Sequence, residues 1–425
     1  MRIRDHRSLG LALLALVALF SLAVVACGDD DDKGSNGGAT RGFSAAGYKA
    51  AGYKAYTIEK DQPIKIGISS ALSGDVKGLG LPIADSATVA ADGITIKGHK
   101  IEFVREDDLC KPEGGPAAAD RLIKANVVAV VGPICSGGTR AALKVYDEAG
   151  LTHISPSATA GDLSNPQGRA EGPYVTFFRV PVLNADEARE QANYVYDVLK
   201  AKTAFVVFDT DDYGKDLSQQ FQESFKKKGG KIVGQPTGYE KKQSDFNSVI
   251  ANIKQAKPDV IYQAGFYAEA TVFLQQLRKD NDTKNIRYMG GDGVKNDELL
   301  TGAKDAAEGI YLALPGTLGS EFGAFAKKYA ALTKGKESDA EGATFGPESY
   351  DAAAAILKAL EKVAKDSGGK LTIDGKALNE AILKSDFAGA SGQVKFQNNG
   401  DRAGAVVRFF KVQGGKYVQL KANEK

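Results

Sequence analysis

From Pro63 onward, short apolar runs rich in β-branched residues alternate with stretches whose apolar positions recur every three or four residues. The runs fall at residues 64–68, 101–104, 127–131, 204–208, 259–263 and 286–289. Strands separated by helical periods predict parallel sheets with helices on both faces. The segment after Asn184 illustrates the helical case. Asn184 and Glu187 have the spacing of a capping box, and Ala188, Ala192, Val195 and Leu199 form one apolar face with polar residues opposite. The pattern is that of an α/β protein.

About 360 residues in this regime exceed what one hydrophobic core usually serves, so two domains are expected. The stretch Phe177-Phe178-Arg179-Val180-Pro181 separates one β/α series from the next. Residues 321–333 and 347–365 read as helices that return to the first series through residues 311–315.

Ahead of this body, residues 28–61 show neither period and are rich in Gly, Asp, Ala and Lys, which predicts a flexible tether. Within it, Ala45-Ala46-Gly47-Tyr48-Lys49 recurs at once as Ala50-Ala51-Gly52-Tyr53-Lys54, too short a repeat for a solenoid. At the start, Arg2, Arg4 and Arg7 precede an apolar run over residues 9–26 that ends in Ala23-Val24-Val25-Ala26-Cys27. A basic head, an apolar run and a terminal cysteine fit an export signal removed after residue 26, with a lipid on the Cys27 thiol. An uncleaved anchor is the alternative, and both put the body outside the cytoplasm, held on the extracytoplasmic face of a membrane.

Charge narrows the partners. The chain carries a formal net charge of +2, and loss of residues 1–26 would remove three arginines and one aspartate, leaving it neutral. A balanced surface gives no footprint for nucleic acid. Besides Cys27 there are only Cys110 and Cys135. In an oxidising compartment such a pair favours a disulfide, with two buried thiols as the alternative.

Catalytic and metal signals are thin. His6 lies in the signal, and His99 and His153 lack ligand spacing. No GxSxG elbow is present, and Ser224-Phe225-Lys226-Lys227 matches SxxK without its partner motifs. Gly78-Leu79-Gly80 starts a dinucleotide-like pattern, but Ile83 stands where a small residue is needed. Asp209, Asp211 and Gly214 match part of a calcium loop, whereas Tyr213 and Gln220 fall at oxygen-ligand positions. The expectation is a binding protein with no cofactor, no metal and no enzyme activity.

Polar segments follow several strands, where α/β sheets place ligands. Ser136 and the first NH groups of the helical stretch after Cys135 suit a carboxylate, and Ser155-Pro156-Ser157-Ala158-Thr159 adds hydroxyls and carbonyls. Asp292, set among Gly290, Gly291 and Gly293, suits an ammonium group, with Tyr213 and Phe266 beside it. Read singly, these segments also fit ordinary caps and turns.

Taken in order, Ser73-Gly74, Asp107-Asp108-Leu109-Cys110, Gly132-Pro133-Ile134-Cys135-Ser136, Ile154-Ser155-Pro156-Ser157-Ala158-Thr159, Asp212-Tyr213-Gly214, Gly265-Phe266 and Met289-Gly290-Gly291-Asp292-Gly293 resemble the leucine/isoleucine/valine-binding proteins of ABC importers. The likeness runs from about Pro63 to the C-terminus. It implies a type I periplasmic-binding fold of two doubly wound parallel-sheet lobes joined by a three-stranded hinge, with residues 62–180 and 313–403 in lobe 1 and residues 181–312 and 404–425 in lobe 2.

It further implies a Cys110–Cys135 disulfide, capture of a small α-amino acid by hinge closure, and delivery by a monomer to permease subunits. Ser136 and Thr159 would hold the carboxylate, while the Ser157 carbonyl, the Thr159 hydroxyl and Asp292 would hold the ammonium. Tyr213 would seal the second-lobe side, and Leu79, Ile134 and Phe266 would wall the side chain. Leu79 and Phe266 stand where the branched-chain binders carry tyrosines, and Asp292 where they carry glutamate. An aliphatic amino acid is the first expectation; a sensor domain for an amino acid, amide or related molecule is the alternative.

Overall fold

The computed structural model describes residues 42–166, 169–404, 406–421 and 424. The export signal and Cys27 lie outside the described residues.

Two sheets organise the chain. In the first, the strands run in the order Thr95–Ile96, His99–Asp107, Ile64–Ser70, Val130–Val131, His153–Ser155, Phe177–Arg179. All pairings are parallel except the two-residue edge strand. Ile64, Ile66 and Ile68 on one face and Gly67 and Ser69 on the other are buried, as befits a strand covered on both faces.

The second sheet has eight strands, centred on Thr203–Asp209, Val260–Ala264, Arg287–Gly290 and Tyr311–Pro315. It ends in an antiparallel hairpin, Val407–Gln413 with Lys416–Leu420, so it is mixed and not all parallel. The hairpin turns on Gly414 and Gly415, both with positive φ, the backbone that a two-residue hairpin loop requires.

The chain passes from the first sheet to the second after Arg179 and back after Pro315. It crosses a third time before Val407. The strand Tyr311–Pro315 therefore stays with the second sheet to its end. Helices Phe322–Thr333 and Gly346–Val363 then pack on helix Lys77–Val89 of the first lobe.

Two further sequence expectations are corrected. The first concerns the tether: residues 42–61 are folded. Ser44 caps helix Ala45–Ala50, and strand Ala55–Ile58 pairs antiparallel with Lys370–Asp374. Tyr56 and Ile58 alternate inward, a signal only four residues long that the surrounding Gly, Ala and Lys conceal. The two repeat copies thus diverge, the first making the helix and the second the turn into the strand. Gly52 allows that turn, because a Cβ there would lie 1.9 Å from the Glu148 carbonyl oxygen.

The second correction concerns the capping box. Helix Asn184–Asn193 starts at Asn184, Leu183 is its cap residue, and no side chain caps it. Asn184, Glu187 and Gln191 are wholly buried, so polar residues share the inward face with Ala188 and Ala192. The Asn184 amide donates to Asp216 Oδ2 at 2.8 Å, and Glu187 turns toward the cleft.

Candidate functional site

The loops at the carboxyl ends of both sheets meet in one cleft. From the first lobe come Leu79, on helix Lys77–Val89, then Ile134, Cys135 and Ser136, and Ser157. From the second come Tyr213, Phe266, Asp292 and Gly293, and Phe345 completes the wall. The cavity they enclose measures about 20 Å³, room for a single water.

Ser136 is the first residue of helix Ser136–Glu148, so unpaired backbone NH groups point at the cleft. Its hydroxyl accepts from Ala160 NH at 3.3 Å, and the Ser157 hydroxyl donates to the Ile134 carbonyl at 2.7 Å. The structure thus locks the two loops together. Thr159 differs from its neighbours. It is not among the lining residues, and its wholly buried hydroxyl has no hydrogen-bond partner. Cys110 and Cys135 form a disulfide with Cα atoms 5.2 Å apart, fixing the start of the same helix against the first sheet.

Asp292 opens a short turn after strand Arg287–Gly290 and is 1 % exposed. Its Oδ1 accepts from the Tyr213 hydroxyl and from Gly293 NH at 2.8 Å. Burial pushes its carboxyl up to about 6, while hydrogen bonds from Tyr213 and Gly293 hold it down. Burial beside Asp292 and Glu187 pushes the Tyr213 hydroxyl well above its ordinary value, so it remains a donor. The Phe266 ring lies 5.2 Å from that of Tyr213. One wall of the cleft therefore carries NH donors and hydroxyls, the opposite wall a buried carboxyl, and apolar side chains lie between.

Polar contacts bridge the lobes around this cavity. Lys241 Nζ donates to the Cys110 carbonyl at 3.0 Å, Gly78 NH to the Tyr267 hydroxyl at 3.1 Å, and Asn296 Nδ2 to the Gly78 carbonyl at 3.0 Å. Arg140 pairs with Asp212 across the same gap. The lobes are shut.

Several of these residues were not anticipated from sequence. Phe345 holds a left-handed backbone, φ 62°, that its type gives no hint of; Gly346-Pro347 marks only the helix start after it. Glu187 and Gln191 lie beneath Asp292, and their spacing on the buried stripe of their helix is the signal that was available. Among the described residues, no group of three or more His, Cys, Asp or Glu is placed to hold a metal ion.

A family model described as periplasmic binding protein matches residues 63–416. The leucine-, isoleucine-, valine-, threonine- and alanine-binding protein of Pseudomonas aeruginosa is 28% identical over 354 residues, covering 82% of this chain and 89% of that protein. The Leu/Ile/Val-binding protein of Escherichia coli is 30% identical over 261 residues, covering 60% and 68%. Among solved structures, the branched-chain amino acid transporter substrate binding protein of Streptococcus pneumoniae, in complex with isoleucine, superposes with a TM-score of 0.73. It is 26% identical and covers 84% of this chain and 100% of its own.

Proposed function

The chain belongs to the periplasmic binding protein family, and on that basis we propose that it is the extracytoplasmic substrate-binding component of an ABC importer for a small aliphatic α-amino acid. The observation that carries this reading is the opposition of Ser136 and Asp292 across one apolar-walled cavity. A zwitterion needs NH donors at one end and an acid at the other. The helix N-terminus at Ser136 receives the carboxylate, and Thr159, which does not line the cavity, is left out of the set. Asp292 receives the ammonium, and a charge-assisted hydrogen bond is about twice as strong as a neutral one. Leu79, Ile134, Phe266 and Phe345 receive the side chain, in keeping with the branched-chain ligands for which the relatives are named.

Capture works by closure. A cavity of about 20 Å³ admits no amino acid, so the lobes part to load and then close around the ligand to a less contracted state than the one described. Ligand that bonds both lobes binds the shut state better and shifts the population toward it. The closed form then docks on permease subunits, and a lipid on Cys27 keeps the monomer at the membrane surface. No helix among the described residues is long and apolar enough to cross a membrane.

Mass spectrometry of ligand released from gently purified protein, followed by calorimetry with leucine, isoleucine and valine, tests the reading. The expected result is an aliphatic amino acid, held at least about 100-fold more weakly by Asp292→Ala, the loss of one partner of a buried charged pair. A bound sugar, or unchanged affinity in the variant, would overturn it.

A further inference from the structure

The polar cluster beneath Asp292 holds a second acid. Glu187 is wholly buried, and its Oε1 accepts from Gln191 Nε2 at 2.8 Å and from Asp292 NH at 3.1 Å. Gln191 is held in that sense, because its amide nitrogen also donates to the Gly290 carbonyl at 3.3 Å and its oxygen accepts from the Tyr262 hydroxyl at 2.5 Å. Both groups on Oε1 are therefore donors. Glu187 Oε2 is buried and has no such donor.

The titratable groups facing the pair are the two acids themselves, Tyr213 on Asp292, and Tyr262 through Gln191, with Tyr288 one layer beyond. Among the described residues neither acid forms an ion pair. Two carboxylates in this place would both be desolvated, mutually repelling, and short of one donor. A proton on Oε2 relieves all three conditions.

We propose that Glu187 is a positioning residue of the ammonium site, a neutral carboxylic acid at pH 7 that gives its proton as a hydrogen bond to Asp292, so that the pair meets the ligand with one negative charge. The inference rests on Asp292 being the ammonium partner. Burial and the Asp292 charge push Glu187 well above the carboxylate range, while the hydrogen bond from Glu187 helps hold Asp292 ionised. One ammonium then neutralises the cluster, and closure buries no residual charge.

The test uses the full mature chain, Glu187→Gln, which keeps a donor, and Glu187→Leu, which does not. Infrared difference spectra at pH 7 should show a protonated-carboxyl band lost in Glu187→Gln. Calorimetry with L-leucine from pH 5 to 9 should find Glu187→Gln close to native. Glu187→Leu should be weaker by about tenfold at pH 7, the scale of one lost hydrogen bond to a charged group, with its acid limb moved to higher pH. Absence of the band, or equal losses in both variants, would overturn the proposal. Failure of the native chain to bind leucine, or indifference of its affinity to Asp292→Ala, would instead strike the functional reading, and the infrared result would still decide the state of Glu187.

Discussion

The ammonium of Lys241, on the second lobe, donates to the carbonyl of Cys110 on the first at 3.0 Å and stands 5.5 Å from the centroid of the Phe266 ring. Lys241 also pairs with Asp211 on its own lobe. The bond to Cys110 spans the gap between lobes and is made only when they meet, so it acts as a latch on the shut state. Lys241→Met should leave the fold intact and weaken capture about five- to tenfold, the worth of one charged hydrogen bond at a partly exposed position. Calorimetry measures the loss, and X-ray scattering should show a larger ligand-free radius of gyration. Native values in both would reject the latch.

The disulfide supports the same corner of the cleft. Cys110 and Cys135 are 25 residues apart, and closing a loop of that length stabilises by about 3.5 kcal/mol on the chain-entropy model. Replacing both with alanine should lower urea stability by roughly that amount and weaken ligand binding, because the helix that begins at Ser136 loses its anchor. A variant with native stability would show that packing alone holds the loop.

His153 sets an acid limit on the fold. It is wholly buried, its ring centroid lies 4.3 Å from that of Tyr146 and 5.4 Å from that of Phe177, and neither ring nitrogen has a hydrogen-bond partner. Burial lowers its pKa to about 3, against 6.5 for the free side chain. Between those values the unfolded chain takes the proton and the folded one refuses it. Stability from this group is therefore complete above about 6.5 and drains as pH falls toward 3, with a slope of at most about 1.4 kcal/mol per pH unit. His153→Phe should flatten urea stability against pH in that window, and an unchanged slope would assign the acid sensitivity elsewhere.

How much of this was legible in the chain depends on the range of the signal. The strands at 64–70 and 203–209 announce themselves because a β-branched run buried on both faces leaves a local mark. Leu79, Ile134, Ser136, Ser157, Tyr213, Phe266 and Asp292 do line one cavity, since each follows or faces a strand end. Thr159 shares their sequence context but is buried outside the lining. Glu187 was hidden by a pattern that fits two physical situations. An acid three residues after Asn184 reads as a cap box, and only the tertiary neighbour Asp292 turns it inward. The mixed second sheet was missed because its last hairpin is marked chiefly by Gly414-Gly415, a turn signal of two residues.

The folded segment ahead of the family match gives the last prediction. Tyr56 is 2 % exposed at the centre of strand Ala55–Ile58, paired with Ile373, and its hydroxyl is buried without a hydrogen-bond partner. The ring therefore stabilises through packing, while the hydroxyl carries a desolvation cost that nothing offsets. Tyr56→Ala should cost about 3 kcal/mol or more and expose residues 42–58 to protease, whereas Tyr56→Phe should be neutral or mildly stabilising. Limited proteolysis with urea denaturation of both variants decides the matter: equal losses in the two would mean that the hydroxyl, and not the ring, secures the segment.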